Sequence, residues 1–252
     1  MDRIILFDID GTLLINNTFL PNVEKIKFLI KKLQRNNFVI GVCTNRTMNK
    51  SLLKIVNFYG LNGPIISEGG ALIYKKGLLG YKSINRIKKI NELKYKLKNI
   101  LKEFIANNKL NVSVKMGNKV SKKNIIINKD RVLSSTLYLP KFIEKKVDIL
   151  IKYLQNNSEI RGYSVSQDNY HNLKINIFKD NINKIKTIEN LYYQKSVIFI
   201  TDYEDGPLPE HGKMLKVFSV GLHKEFNNYC DGVFQNYGFG IEEILEKLRR
   251  NV

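Results

Sequence analysis

Two aspartates near the start of the chain, Asp8 and Asp10, have the type and spacing of residues that do chemistry together. Side chains two residues apart in extended chain leave on the same side, and Gly11 directly after them permits a tight turn. Neighbouring carboxylates repel each other unless a cation or a shared proton compensates their charge. Mg²⁺, which prefers oxygen ligands, is the natural cation. The alternative is a loop in which Asp and Thr only cap a turn.

The elements around this pair must place it at an accessible edge of the fold. Residues 4–7 form an apolar run too short for a helix, which predicts a strand buried on both faces of a parallel sheet. A helix opened by Pro21, a second apolar strand at residues 38–42 and a second helix ending at Gly60 follow. This alternation predicts an α/β fold with a doubly wound, Rossmann-like parallel sheet. Its active site would lie at the carboxyl ends of the strands, where the two aspartates are expected.

The run DIDGTL at residues 8–13 resembles the DxDGT signature of the haloacid dehalogenase (HAD) superfamily of phosphatases and phosphotransferases. The resemblance implies that Asp8 attacks phosphorus to give an aspartyl phosphate. It implies that Asp10 protonates the leaving oxygen and later activates water. These roles suit a nucleophile beside an acid/base group.

A looser resemblance follows the second strand, at Thr44, Asn45 and Arg46. In the family's second motif a Thr or Ser holds the transferring phosphoryl group through its hydroxyl and backbone, and Thr44 takes that place. Arg46 agrees with the usual run and Asn45 departs from it; both are expected to contact substrate. An alternative for Thr44 is the N-cap of the next helix, and the two roles are compatible because helix N-termini bind phosphate.

The third motif of the family is a lysine at the start of a helix, and Lys184 stands at the matching place. Its ammonium would neutralise Asp8 and the phosphoryl oxygens. Lysines are abundant in this chain, so a solvated side chain is the alternative. Helical register favours Lys184 over Lys186, which would lie elsewhere around the helix.

The fourth motif is expected after a strand at residues 196–200, where Asp202 matches the family's metal-binding aspartate. The resemblance then implies that Mg²⁺ is held by Asp8, the backbone carbonyl of Asp10, and Asp202. Asp205 falls where Asn is common and is expected to contact substrate, whereas Gly206 falls where a second acid is usual. Either Asp205 takes the missing acid's place through a shifted loop or the metal site is weakened.

Residues 77–180 show a different pattern, in which short β-rich runs are not separated one by one by helices. This predicts an antiparallel sheet with helices on one face, as an α+β domain inserted between core segments 1–76 and 181–252. The insert resembles a C2-type cap, a lid that would exclude water and select the leaving group. The preceding segment, residues 60–74, resembles HAD enzymes with a C2B cap, in particular Cof-like and archaeal-type phosphoglycolate phosphatases.

The composition of the chain limits its expected partners and location. A formal charge of +19 could indicate a nucleic-acid or anionic-membrane partner. The lysines are scattered, however, so we expect neither partner, although a basic field would attract a small phosphorylated anion. The sequence contains no stretch of membrane-span length and carries acids where a signal peptide would be basic then apolar, which predicts a cytoplasmic protein. Cys43 and Cys230 are expected to be reduced core residues.

The sequence therefore predicts a Mg²⁺-dependent phosphomonoester hydrolase acting on a small phosphorylated metabolite, with phosphoglycolate as the substrate that the resemblance implies. Two alternatives stay open. One is a phosphosugar phosphotransferase or mutase, and the other is a non-catalytic HAD-like protein that binds a phosphate ligand. A homodimer is also left open.

Overall fold

The computed structural model divides the chain into two compact units, residues 1–85 with 183–252, and residues 86–182. The first boundary lies at residue 85 and not at 76, because a hairpin over residues 72–83 belongs to the sheet of the first unit. The residues that the structure describes are 3–84, 92–167, 173–180, 182–202, 212–220, 230–234 and 237–250.

Helices and strands cover most of the described residues. The helices are α1 (Val23–Arg35), α2 (Lys50–Phe58), α3 (Glu92–Asn107), α4 (Val147–Gln155), α5 (Lys184–Leu191) and α6 (Tyr237–Arg250). The strands are β1 (Arg3–Phe7), β2 (Leu14–Ile15), β3 (Thr18–Phe19), β4 (Phe38–Cys43), β5 (Ile65–Ser67), β6 (Leu72–Gly77), β7 (Gly80–Ser83), β8 (Ser113–Gly117), β9 (Asn124–Asn128), β10 (Ser135–Tyr138), β11 (Tyr163–Gln167), β12 (Lys174–Lys179), β13 (Val197–Asp202), β14 (Leu215–Val220) and β15 (Gly232–Phe234).

The sheet of the first unit confirms the predicted doubly wound α/β fold. Within the described residues its strand order is β15-β14-β13-β1-β4-β5-β6-β7, parallel from β15 to β5, with β6 and β7 antiparallel. Apolar side chains of α1, α2 and α6 join the core on one face, and those of α5 join a second cluster with alternate residues of β1 and β13. The central strand β1 is therefore buried on both faces, as its continuous apolar run predicts.

The second unit contains a sheet of order β11-β12-β10-β9-β8, with α3 and α4 packed on its apolar residues. The prediction of an antiparallel sheet is wrong for β8 and β9, which run parallel with Ser113 opposite Asn124. For β9 to run parallel to β8, residues 118–123 must bring the chain back along the length of β8, which is about 17 Å for a strand of five residues. The seven peptide steps from 117 to 124 reach roughly 23 Å, so no crossover helix is needed.

Two other predictions bear on the chain as a whole. In the part of the chain that the structure describes, no helix has both the length and the apolar character needed to cross a membrane. Neither cysteine forms a disulfide among the described residues: Cys43 is buried in the core and Cys230 is half-buried.

Candidate active site

The predicted site residues come from the carboxyl ends of three adjacent parallel strands. Asp8 directly follows β1, Thr44 directly follows β4, and Asp202 is the last residue of β13. The central strand β1 pairs with both of the others, and the Asp8 N–H donates to the Ile200 carbonyl at 2.8 Å. Because neighbouring strands lie about 4.8 Å apart, these ends meet at one edge of the sheet.

The Gly11 turn lies directly against the Asp202 carboxylate. Gly11 has φ +74°, and a Cβ at this position would lie only 1.7 Å from Asp202 Oδ2. The Gly11 N–H donates to the Leu14 carbonyl at 2.7 Å, which closes the turn. The glycine is therefore required both for its backbone conformation and for the space that Asp202 occupies.

Lys184 reaches the predicted nucleophile. Its Nζ lies 3.1 Å from Asp8 Oδ1, and the two residues are only 6% and 5% exposed. The start of α5 is fixed by Asn183, whose side-chain oxygen accepts from the Lys186 N–H at 2.8 Å. Lys186 itself is exposed. A buried ion pair is costly to desolvate, so its presence at a strand end favours a functional role over a stabilising one.

Gly70 is a site residue that the sequence reasoning missed. It has φ +106°, and a Cβ there would lie 2.6 Å from Thr187 Oγ1 and 2.8 Å from the Asn183 carbonyl oxygen. The Thr187 hydroxyl also donates to the Gly70 carbonyl at 3.1 Å. The turn after β5 thus holds the first turn of α5, which carries Lys184. The available signal is the Gly69-Gly70 pair, since adjacent glycines are typical of a tight turn.

Arg46 contacts the predicted acid/base residue. Its Nε donates to Asp10 Oδ2 at 2.8 Å and its Nη2 to Asp10 Oδ1 at 2.5 Å, with a further bond from Nη2 to Asn17 Oδ1 at 3.0 Å. These bonds, with the charge of Asp10, raise the pKa of the Arg46 guanidinium. The Asp10 side chain is 50% exposed, whereas the Asp8 and Asp202 carboxylates are buried. Substrate binding by Arg46 stays a prediction.

Replacing Arg46 with lysine should show whether Arg46 orients Asp10 or binds substrate. Lysine keeps the charge but cannot hold a carboxylate with two parallel bonds, so Asp10 would lose its fixed orientation. We expect kcat to fall about tenfold with KM nearly unchanged. Steady-state kinetics checks this, with Arg35→Lys, an exposed arginine ending α1, as the matched control. A rise in KM at constant kcat would instead assign Arg46 to substrate binding.

Thr44 is fully buried, and its N–H and hydroxyl oxygen both form hydrogen bonds within the fold. Its N–H donates to the Ile66 carbonyl at 2.9 Å, and its hydroxyl oxygen accepts from the Arg46 N–H at 3.2 Å. Binding of a phosphoryl oxygen by the Thr44 hydroxyl stays a prediction. The alternative role as helix N-cap is wrong, because Asn49 caps α2 by accepting from the Leu52 N–H. Asn45 is exposed.

The oxygen groups at this edge fit a hard divalent cation. Asp8 and Asp202 are buried carboxylates, 5% and 3% exposed, on adjacent strand ends. With the Asp10 carbonyl they give an all-oxygen set of the kind that Mg²⁺ prefers. Among the described residues no group of three or more His, Cys, Asp or Glu side chains is placed to hold a metal ion.

The rest of the fourth motif lies outside the residues that the structure describes. This applies to Asp205, predicted to contact substrate, and to Gly206, which stands where a second acid is usual. The choice between a shifted loop and a weakened metal site therefore stays a prediction.

Sequence comparison relates the chain to a known family and to a curated enzyme. Residues 5–201 match the family of haloacid dehalogenase-like hydrolases. A phosphoglycolate phosphatase of Staphylothermus marinus is 34% identical over 74 residues, which are 29% of this chain and 31% of that relative. The match thus spans about a third of the relative's length.

Solved structures resemble the whole chain at low sequence identity. A haloacid dehalogenase-like hydrolase of Bacteroides thetaiotaomicron has a TM-score of 0.67 at 14% identity, covering 98% of this chain and 100% of its own. A HAD/Cof-like hydrolase of Plasmodium vivax gives 0.63 at 14%, covering 100% and 96%. A trehalose-6-phosphate phosphatase of Aspergillus fumigatus gives 0.64 at 12%, covering 99% and 93%. These likenesses show a shared fold, and the sequence match over residues 5–201 shows that the chain belongs to the haloacid dehalogenase-like hydrolase family.

Proposed function

We propose that the protein is a Mg²⁺-dependent phosphatase that hydrolyses phosphate monoesters through an aspartyl phosphate on Asp8. The observation that carries this proposal is the buried contact of 3.1 Å between Lys184 Nζ and Asp8 Oδ1 at the end of the central strand. A fixed ammonium beside the nucleophile offsets the charge that an incoming phosphate brings to a water-poor site. Family membership supports hydrolase chemistry.

In the first step an Asp8 carboxylate oxygen attacks phosphorus in line. The new O–P bond forms as the ester P–O bond breaks, and Asp10 gives its proton to the leaving oxygen. In the second step water attacks the phosphorus and gives a proton to Asp10, which releases phosphate and restores Asp8. The Thr44 hydroxyl and the Lys184 ammonium would donate to the phosphoryl oxygens throughout.

The metal proposed for this site is Mg²⁺, held by Asp8, the Asp10 carbonyl and Asp202. When bound, it would screen the phosphate charge so that the Asp8 anion can approach. Gly11 supports this proposal because its lack of a side chain leaves room for the Asp202 carboxylate.

The substrate class proposed is a small phosphorylated metabolite, with phosphoglycolate as the first compound to test. The support is local, namely the similarity over 74 residues to a phosphoglycolate phosphatase. We also propose that residues 86–182 act as the cap that selects the leaving group, and that the protein acts in the cytoplasm. The trehalose-6-phosphate phosphatase likeness concerns the fold and leaves the substrate open.

Phosphate release from an aryl phosphate tests the reaction directly. We expect release with Mg²⁺, loss of release in a chelator, and recovery when Mg²⁺ is restored. Asp8→Asn should lower kcat by at least about 1,000-fold, because the nucleophile is removed. Asp130→Asn, at an exposed aspartate of the second unit, is the matched control and should behave as wild type.

Three outcomes would contradict parts of this proposal. An Asp8→Asn variant as active as wild type would exclude Asp8 as the nucleophile. Folded wild-type protein that releases no phosphate with several divalent ions would exclude the hydrolase. Phosphate retained on an added sugar, in place of release to water, would instead identify a phosphotransferase.

A further inference from the structure

The turn between β6 and β7 places two leucines in full contact with solvent. Leu78 and Leu79 are 106% and 92% exposed relative to a reference chain. They occupy the two positions between Gly77 and Gly80, which pair across the hairpin. Such positions usually hold Gly, Asn, Asp or Ser, because these residues favour turn conformations. The fold gives no reason for two large apolar side chains here.

The hairpin that carries this tip is fixed to the core as far as the Lys76–Tyr81 pair, next to the turn. The Tyr81 hydroxyl donates to the Gly63 carbonyl at 3.0 Å, and Tyr74 and Tyr81 pack against the core. Lys76 Nζ donates to the Leu61 carbonyl at 3.4 Å. The two leucines thus lie only two residues beyond strand positions that are fixed to the core.

Within the hairpin, the charged residues beside the tip are all lysines. Lys75 and Lys82 lie directly opposite each other across the strands, and Lys76 is beside them. All three are exposed, and residues 72–83 contain no acidic residue. Like charges placed opposite each other in a hairpin destabilise it. The arrangement costs folding free energy. It places a basic collar, formed by Lys75, Lys76 and Lys82, next to the apolar tip.

We propose that this hairpin tip binds the surface of a membrane rich in anionic phospholipid. Leu78 and Leu79 would enter the boundary between headgroups and acyl chains, while the lysine collar contacts lipid phosphates. A second copy of the chain fits less well, because a symmetric contact between two tips would bring the lysines of both collars together. The charge complementarity therefore favours an anionic lipid surface.

This inference goes beyond the proposed phosphatase and does not depend on it. The sequence analysis expected no membrane partner because spanning segments were missing and the lysines were scattered. An exposed tip requires no spanning segment, and the structure places three of those lysines on the strands next to it.

Binding is expected to be weak and reversible. Each lysine near an anionic surface strengthens binding about fivefold, and each inserted leucine about tenfold. Together the three lysines and two leucines would strengthen binding by roughly 10⁴-fold relative to a chain that lacks them.

Sedimentation of the full chain with vesicles tests the proposal. The vesicles are phosphatidylcholine with or without phosphatidylserine, and the first variant is Leu78→Ser/Leu79→Ser, which keeps the net charge. The second is Lys75→Gln/Lys76→Gln/Lys82→Gln, and its matched control is Lys119→Gln/Lys122→Gln/Lys123→Gln, at three exposed lysines of the other unit. We expect wild type to bind the anionic vesicles, each tip variant to bind about 100-fold more weakly, and the control to bind almost as wild type.

Two results would overturn the proposal. Equal binding of wild type and Leu78→Ser/Leu79→Ser would show a general effect of the basic surface. Absence of vesicle binding, with self-association of wild type that the serine variant loses, would assign the tip to a contact between copies. Thermal unfolding of each variant verifies the fold independently of any phosphatase activity.

Discussion

Replacing Gly11 with alanine is expected to abolish most activity while the protein stays folded. The added Cβ would lie 1.7 Å from Asp202 Oδ2, so either the turn or the carboxylate must move. A displacement of about 1 Å in a catalytic constellation can cost about 100-fold in rate. We therefore expect phosphate release to fall by at least about 100-fold and the Mg²⁺ concentration for half-maximal activity to rise.

Gly60→Ala is the matched control for this change. Gly60 has a similar φ of +66°, but a Cβ there would have no neighbour within 4 Å. The left-handed conformation alone costs about 1–2 kcal/mol for alanine, so Tm should fall by a few degrees with activity unchanged. If the Gly11→Ala variant were as active as Gly60→Ala, the placement of Asp202 against the turn would not matter for the reaction.

Removing the ammonium of Lys184 should lower both the stability of the protein and its activity. Lys184→Gln leaves the Asp8 carboxylate buried without this cation, and breaking a buried pair costs about 3–5 kcal/mol. In chelator we expect the free energy of unfolding to fall by about 3 kcal/mol. With Mg²⁺ we expect kcat to fall by about 100-fold or more, because one charge-stabilising donor is lost.

A double-mutant cycle tests whether the effect of Lys184→Gln comes from its contact with Asp8. The Asp8→Asn/Lys184→Gln variant should be less destabilised than the sum of its single changes, by at least about 1 kcal/mol. Lys186→Gln, at an exposed position on the same helix, should change stability by less than about 0.5 kcal/mol. Additive effects in the cycle would show that the Lys184 and Asp8 side chains do not interact energetically.

The features that sequence predicted well are local ones. The apolar run 4–7 and the DxDGT-like turn occupy adjacent residues, so their types alone define a buried strand with acids at its end. Register within one helix was enough to choose between Lys184 and Lys186, and the structure brings Lys184 to Asp8. The alternating order of strands and helices then predicted the parallel sheet.

The features that sequence did not predict depend on which distant segments meet. Nothing in the residues of β8 and β9 distinguishes a parallel from an antiparallel pair, because alternation is the same in both. The contact of Arg46 with Asp10 joins residues 36 apart, and that of Thr187 with Gly70 joins residues 117 apart. Such pairings are set by tertiary packing, so the sequence alone does not identify them.

The pairing of β1 with β13 has a consequence for the order of folding. It joins Ile4 to Val197, so the segment that supplies Asp8 meets the segments that supply Lys184 and Asp202 only after a very long loop closes. Closure entropy grows with loop length, and contacts of high sequence separation form slowly. The unit of residues 86–182 lies within that loop and has its own sheet and core. We expect it to collapse first and shorten the effective loop, so that catalytic competence is acquired in the last folding step.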